Sequence, residues 1–323
     1  MQQISRTLSH MTDQTHSPVP DLKTQAYDAF DRGDLHQASR LFESLLQQEP
    51  GASAFHYMRG LAHKYLLDWP LCLHHNLRAI EVSDGDDEAY HWNAAMAATA
   101  LGQWDVVRRL WKDTGINIEE GEGPIHNDFG LGVVRLTPWQ GGETVWVRRI
   151  DPVRARILNV PTPETGHRFG DIVLHDGAST GSRFDADGRK THVFNELARL
   201  HPSDFQTFVV FVSCENTAEL GALLEATGPG IGFAEDWTSS LVNYCLRCSY
   251  GVTHRHEKQQ DAEWQRDRNL GIAAQSRLSV EKLLSDWAAA APERYVESIQ
   301  TREMAAPALK EAGVWWRAPE DSE

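Results

Sequence analysis

Apolar side chains fall at helical spacing from residue 21 to residue 115, and the pattern itself returns after 34 and then 35 residues. Leu35, Trp69 and Trp104 form one column. Ala38, Cys72 and Val107 form a second, Phe42, Asn76 and Trp111 a third, and Leu45, Ala79 and Thr114 a fourth. A small-residue column, Ala26, Gly60 and Ala95, runs ahead of them. Each unit therefore predicts two helices with a break between them, at Gly33-Asp34, Leu67-Asp68 and Gly102-Gln103, and Pro50 closes the first unit. Small residues in the first helix let the second approach closely. A single helix pair has no second surface on which to bury its apolar stripe, so the three pairs must stack.

Helical periodicity stops near Gly115, and the glycine-rich, acidic stretch up to residue 132 reads as a linker. Short runs rich in β-branched and aromatic residues follow at 133–136, 144–148, 155–158 and 171–174, separated by turn residues. Strands this short and close predict a small antiparallel barrel or curled sheet. Residues 208–212 then read as a buried strand, 217–227 as an amphipathic helix and 231–233 as another strand, a βαβ-like piece. The stretch 261–291 reads as helical, and Trp315-Trp316 is expected to pack back onto this second domain. The fold class expected is thus a helical repeat stack followed by a small barrel-like α+β domain with C-terminal helices. The divisions are a flexible tail at 1–20 (with Met11 as an alternative start), repeats at 21–115, a linker at 116–132 and an α+β domain at 133–323.

The repeat columns resemble the tetratricopeptide (TPR) family over residues 21–115. Gly33, Leu35, Ala38, Phe42 and Pro50 stand at family positions in the first unit, while Cys72 and Val107 replace Ala and Asn76 replaces Phe in the later ones. The resemblance implies binding of peptides or protein surfaces on the face lined by the first helices, at Lys23, Tyr27, Tyr57, Leu61, Lys64, Trp92 and Met96. That set is aromatic with two cations and lacks the Asn-rich pattern of repeats that clamp a terminal carboxylate. The alternative is that Tyr57, Trp92 and Met96 pack against the second domain. Farther on, Val145-Trp146, Asn159-Val160-Pro161 and Gly170-Asp171-Ile172-Val173 are similar to an uncharacterised family of small bacterial domains, which implies a fold and no activity.

Charge and cysteine content narrow the classes. The 323 residues carry a net charge of −15. Residues 1–120 hold 10 basic and 17 acidic side chains and the remainder 21 and 29, so the acidity is spread through the chain. A uniformly acidic surface argues against nucleic acid and favours encounter with a basic protein. No apolar run is long enough to span a bilayer, and residues 1–20 lack a signal-peptide core, so a cytoplasmic protein is expected. Four cysteines are too few for a disulfide framework. Cys72 and Cys214 fall in apolar patterns and read as small core hydrophobes.

One constellation carries chemistry. Cys245 and Cys248 form a CxxC bend, Gly251 permits a turn, and His254 and His256 share one face of an extended strand. Four such ligands make a closed tetrahedral site for one structural zinc, with no open position for water; the alternative is a reduced cysteine pair beside a histidine-rich turn. Fingerprints for nucleophilic serine, Walker and dinucleotide sites are absent, and no catalytic residue is assigned. His175-Asp176 and Glu235-Asp236 are sequence neighbours expected on opposite faces of a strand, and His74-His75 is expected to face solvent. The reading is a non-catalytic bacterial adaptor or regulator, in a specific form an immunity protein that neutralises a basic toxin. The alternative is a zinc-dependent enzyme using the Cys/His cluster.

Overall fold

The structure is a computed structural model that describes residues 21–85, 87–140, 142–184, 187–241, 264–305 and 313–315. The first six helices form three consecutive pairs: α1 (Leu22–Asp31) with α2 (Leu35–Gln48), α3 (Ser53–Tyr65) with α4 (Trp69–Val82), and α5 (Glu88–Ala100) with α6 (Trp104–Asp113). Asp21, Asp34, Asp68 and Asp87 each accept a backbone N–H of the helix they precede. The break within each pair needs one left-handed residue, supplied by Gly33 (φ +78°), Leu67 (φ +58°) and Gly102 (φ +68°) at the repeat spacing. The columns are the core: Ala38, Cys72, Val107, Phe42, Asn76 and Trp111 are all fully buried. The substitution of Asn76 for an aromatic is matched at Gly60, where an added Cβ would lie 2.5 Å from the Asn76 amide nitrogen.

Residues 133–323, read from sequence as one unit, contain two sheets. The first is a closed five-stranded barrel in the order β1 (Leu131–Arg135), β2 (Thr144–Arg149), β3 (Arg154–Ile157), β4 (Ile172–Phe184), β5 (Lys190–His201). An odd number of strands meandering antiparallel must close with a parallel pair, and β1 pairs with β5 in parallel, Val134 opposite Phe194. Val134, Leu136, Val145, Val147, Ala155, Ile157 and Val173 fill the interior. β4 extends far beyond the four residues expected, and register shifts along its pairing with β5 bend the hairpin.

The second sheet is β7-β8-β6-β9, all neighbours antiparallel: β6 (Gln206–Ser213), β7 (Ile231–Asp236), β8 (Asp267–Ala274) and β9 (Tyr295–Thr301). Helix α7 (Thr217–Leu224) joins β6 to β7, the single-turn α8 (Trp237–Ser240) follows β7, and α9 (Arg277–Ala289) joins β8 to β9. β6 and β7 run parallel with β8 between them, the split βαβ arrangement of ferredoxin-like folds. The helix expected over 261–291 is corrected: its first half contributes β8, a central strand whose short apolar run Leu270–Ala274 is indistinguishable by periodicity from a buried helix turn. The continuous apolar run of β6 is explained by burial on both faces. Phe208, Val210 and Val212 meet α7 and α9, whereas Val209 and Phe211 face the barrel.

Two junctions tie these parts together. Between barrel and second sheet, Asn159 accepts the Trp146 N–H (2.6 Å) and donates to Glu235 (3.1 Å). The Val160 N–H also donates to Glu235 (2.9 Å), and the Trp237 indole donates to the Val160 carbonyl (3.0 Å). The Asn-x-Pro turn is thus a docking element, and Glu235 is consumed by it. Between stack and barrel, a single apolar cluster runs from Ala94, Ala98, Val107 and Trp111 to Val153, Leu174 and Leu197. The stretch between α6 and β1 has no helix or strand up to residue 130, yet Ile125 is buried in this cluster. The Ile125 carbonyl accepts from Arg154 (2.6 Å), whose guanidinium also bonds Asp151 (2.5 Å) and lies 4.6 Å from the Trp104 ring.

Candidate functional site

Because the first helix of each pair must present the face its partner does not cover, α1, α3 and α5 lie side by side. Lys23 sits on α1 with its Nζ 5.9 Å from the Phe55 ring of α3, and Tyr57 of α3 packs on Tyr90 of α5 (centroids 5.0 Å). The seven positions carried by the resemblance divide in two along this face. Lys23 is exposed, and Tyr27, Tyr57 and Leu61 are half-buried. Tyr27 stands edge-on to Phe42 at 5.3 Å and 87°. Burial raises the phenol pKa of both Tyr27 and Tyr57 above the usual range, so each stays a neutral donor at physiological pH.

The other three positions are covered. Met96 is fully buried in the cluster shared with the barrel. Trp92 packs on Trp111 (4.9 Å), and the β4 backbone passes so close that a Cβ on Gly177 would fall 1.9 Å from the indole nitrogen. Lys64, 3 % exposed, donates to Asp176 of β4 (3.0 Å) and to Asn93 (3.3 Å), and the Tyr65 hydroxyl donates to the same carboxylate (3.1 Å). Burial alone would pull the Lys64 ammonium down, but the Asp176 carboxylate overrides it and holds the group above its ordinary range. The same charge carries Asp176 below its usual value in spite of burial, and burial pushes the Tyr65 phenol up to about 12. The site is therefore an open tyrosine-lined end and a closed floor where the chain's own carboxylate fills a cationic pocket.

His175 and Asp176 are both buried, His175 against the Phe194 ring (4.7 Å) and Asp176 against Lys64 and Tyr65 of the stack. His175 Nδ1 donates to the Asp176 carbonyl (2.8 Å), its Nε2 has no partner, and burial lowers its pKa to about 4. His75 is likewise buried rather than solvent-facing. Its Nδ1 lies 3.1 Å from Nδ1 of His56, whose Nε2 donates to the Pro50 carbonyl (3.2 Å). One hydrogen fits between the two facing nitrogens, so the pair is excluded from double protonation, and burial lowers His75 to about 3. Nearby, Ser39 Oγ, His63 Nε2 (2.9 Å), and His63 Nδ1 with Asp68 (3.4 Å) follow the order of a nucleophilic triad. At 7 % exposure in a helix interface, Ser39 has no room for a substrate, and the three serve packing.

The repeat columns do not single out Tyr65, Tyr90 or Asn93, although Tyr90 and Asn93 flank Trp92 on the same helix. Asp176 stands out in sequence only as the neighbour of His175, because its partner Lys64 lies 112 residues away. Cys72 and Cys214 are buried free thiols in apolar clusters, as expected. Cys245, Cys248, His254 and His256 lie outside the described residues, in the connection between α8 and β8. Among the described residues no group of three or more metal-ligating side chains assembles, and no helix is long and apolar enough to cross a membrane.

No protein-family model matches the chain, and no curated protein sequence does. Among solved structures, the complex described as "TPR2B-domain:pHsp70-complex of yeast Sti1" matches at 15 % identity over 28 % of this chain and 73 % of that one, with a TM-score of 0.27.

Proposed function

We propose that the chain is a non-catalytic protein-binding adaptor whose ligand, a segment of another protein, crosses Lys23, Tyr27, Tyr57 and Leu61. The observation that carries this reading is the pair of half-buried, neutral tyrosines beside an exposed lysine on the uncovered end of the first-helix face. Tyrosine supplies large contact area and a hydrogen-bonding tip at little entropic cost, the chemistry of protein-binding anchors. The net charge of −15 favours a ligand protein with a basic surface, and neutralisation of a basic toxin is the specific form this takes. The test places a photoreactive phenylalanine at Tyr27, at Tyr57 and, as a remote control, at exposed Leu278. The expected outcome is one common adduct at Tyr27 and Tyr57 in the native host that is missing at Leu278. Equal labelling from all three positions would overturn the reading.

A second reading rests on the spacing of Cys245, Cys248, His254 and His256. Four N/S ligands at that spacing are the set that a closed structural zinc site uses. Metal analysis of the purified chain is expected to give one zinc per chain, lost in the Cys245→Ser, His256→Ala double variant. Metal-free protein with unchanged stability in that variant removes the site, and with it the zinc-enzyme alternative.

A further inference from the structure

The sequence places Trp315 on the second domain, and the structure corrects this: Gly313, Val314 and Trp315 lie on the helical stack. The Val314 N–H donates to the Tyr65 carbonyl (2.7 Å), and Val314 is 3 % exposed. Trp315 packs on Phe30 (5.0 Å, 59°) and edge-on to Tyr65 (5.0 Å, 68°). Both sides of the contact are cut to fit. A Cβ on Gly33 would lie 2.1 Å from the Trp315 ring, and a Cβ on Gly313 would lie 2.1 Å from the Tyr65 carbonyl oxygen. The slot is thus bounded by the left-handed turn of the first helix pair, by the Phe30 ring, and by the ring and carbonyl of Tyr65, the last residue of α3.

We propose that this slot between Gly33, Phe30 and Tyr65 is a peptide-binding site specific for a Gly–Val–Trp segment, filled in cis by residues 313–315. It is separate from the tyrosine-lined face, since it lies at the turn end of the helices. Recognition follows ordinary peptide physics. One main-chain hydrogen bond fixes register, a glycine admits the carbonyl, and an indole supplies the anchor. A site assembled this way by three consecutive residues recognises the same three residues supplied on another molecule.

The experiment uses the full chain. Hydrogen exchange of the Val314 amide reads docking directly. Gly33→Ala is expected to raise that exchange at least tenfold by driving a methyl into the indole. Gly102→Ala is the matched control, because it imposes the same left-handed strain (φ +68°) while its nearest neighbour is 3.8 Å away. A synthetic peptide spanning residues 310–318 is then titrated into the full-length Trp315→Ala protein. Saturable chemical-shift changes at Phe30, Gly33 and Tyr65 are expected, with none from a scrambled peptide. If the Trp315→Ala protein does not fold, the same peptide is added in excess to the unmodified chain, where displacement of the tail raises Val314 exchange. Equal Val314 exchange in the two glycine variants, or no saturable response to the peptide, overturns the proposal.

Discussion

Replacing Lys64 by Met is expected to destabilise the chain by about 3–5 kcal/mol, as for other buried pairs from which one partner is removed. The cause lies less in the lost attraction than in the carboxylate left behind. Asp176 is 7 % exposed, and without Lys64 only the Tyr65 hydroxyl and the Ala178 N–H remain to solvate it. Asp176→Leu alone leaves the ammonium buried beside Asn93 and is expected to cost a similar amount. The double variant Lys64→Met, Asp176→Leu removes both charges from a site already walled by apolar residues, and it should recover most of the loss. Tyr65→Phe, which deletes one hydrogen bond and keeps the ring against Trp315, is expected to cost only about 1–2 kcal/mol. Urea unfolding of the four proteins checks the series. A single Lys64→Met within 1 kcal/mol of the starting protein, or a double variant no better than the singles, would show that the pair is not the lock between stack and barrel.

That lock also shows where the sequence stops being informative. The repeat was legible because its signal is local and periodic: Ala38, Cys72 and Val107 fall at one helical position three times, and all three are buried. The barrel strands were legible in part, since β1, β2 and β3 are short runs bounded by turns. β5 is not legible because its buried Thr191, Val193, Phe194 and Leu197 stand among Lys190, His192, Asn195 and Glu196, which dilute the apolar pattern. β8 reads as helix because its apolar run Leu270–Ala274 is too short for periodicity to separate a strand from a buried helix turn. Spacing puts Lys64 on α3, but its burial depends on Asp176. No rule of spacing connects positions on two different folding units. The same holds for Trp315, whose hydrophobicity announced packing without announcing against what.

Stability is expected to fall steadily as pH drops from about 6.5 toward 4, and buried histidines on both sides of the junction are the cause. His175 titrates near 6.5 when unfolded and near 4 when folded. Between those values the unfolded chain binds the extra proton, so the stabilisation is complete above 6.5 and is lost as pH falls. At 1.36 kcal/mol per pKa unit this one group accounts for about 3 kcal/mol. His75, lowered to about 3 chiefly by burial, acts in the same direction. His56 and His63, lowered by burial, act in the same direction. His167 opposes them. Burial disfavours its charge, yet the bond to Glu196 (2.6 Å) raises its pKa, so its contribution is present below 6.5 and is lost as pH rises through the folded value. Four groups outweigh one, and below the ordinary range of carboxylates the protonation of Asp176 removes the Lys64 pairing as well. The check is a set of urea midpoints at pH 7.5, 6, 5 and 4. His175→Asn, whose amide can still donate to the Asp176 carbonyl, should flatten the profile by about 3 kcal/mol over that range. A profile just as steep in His175→Asn would assign the acid sensitivity to other groups.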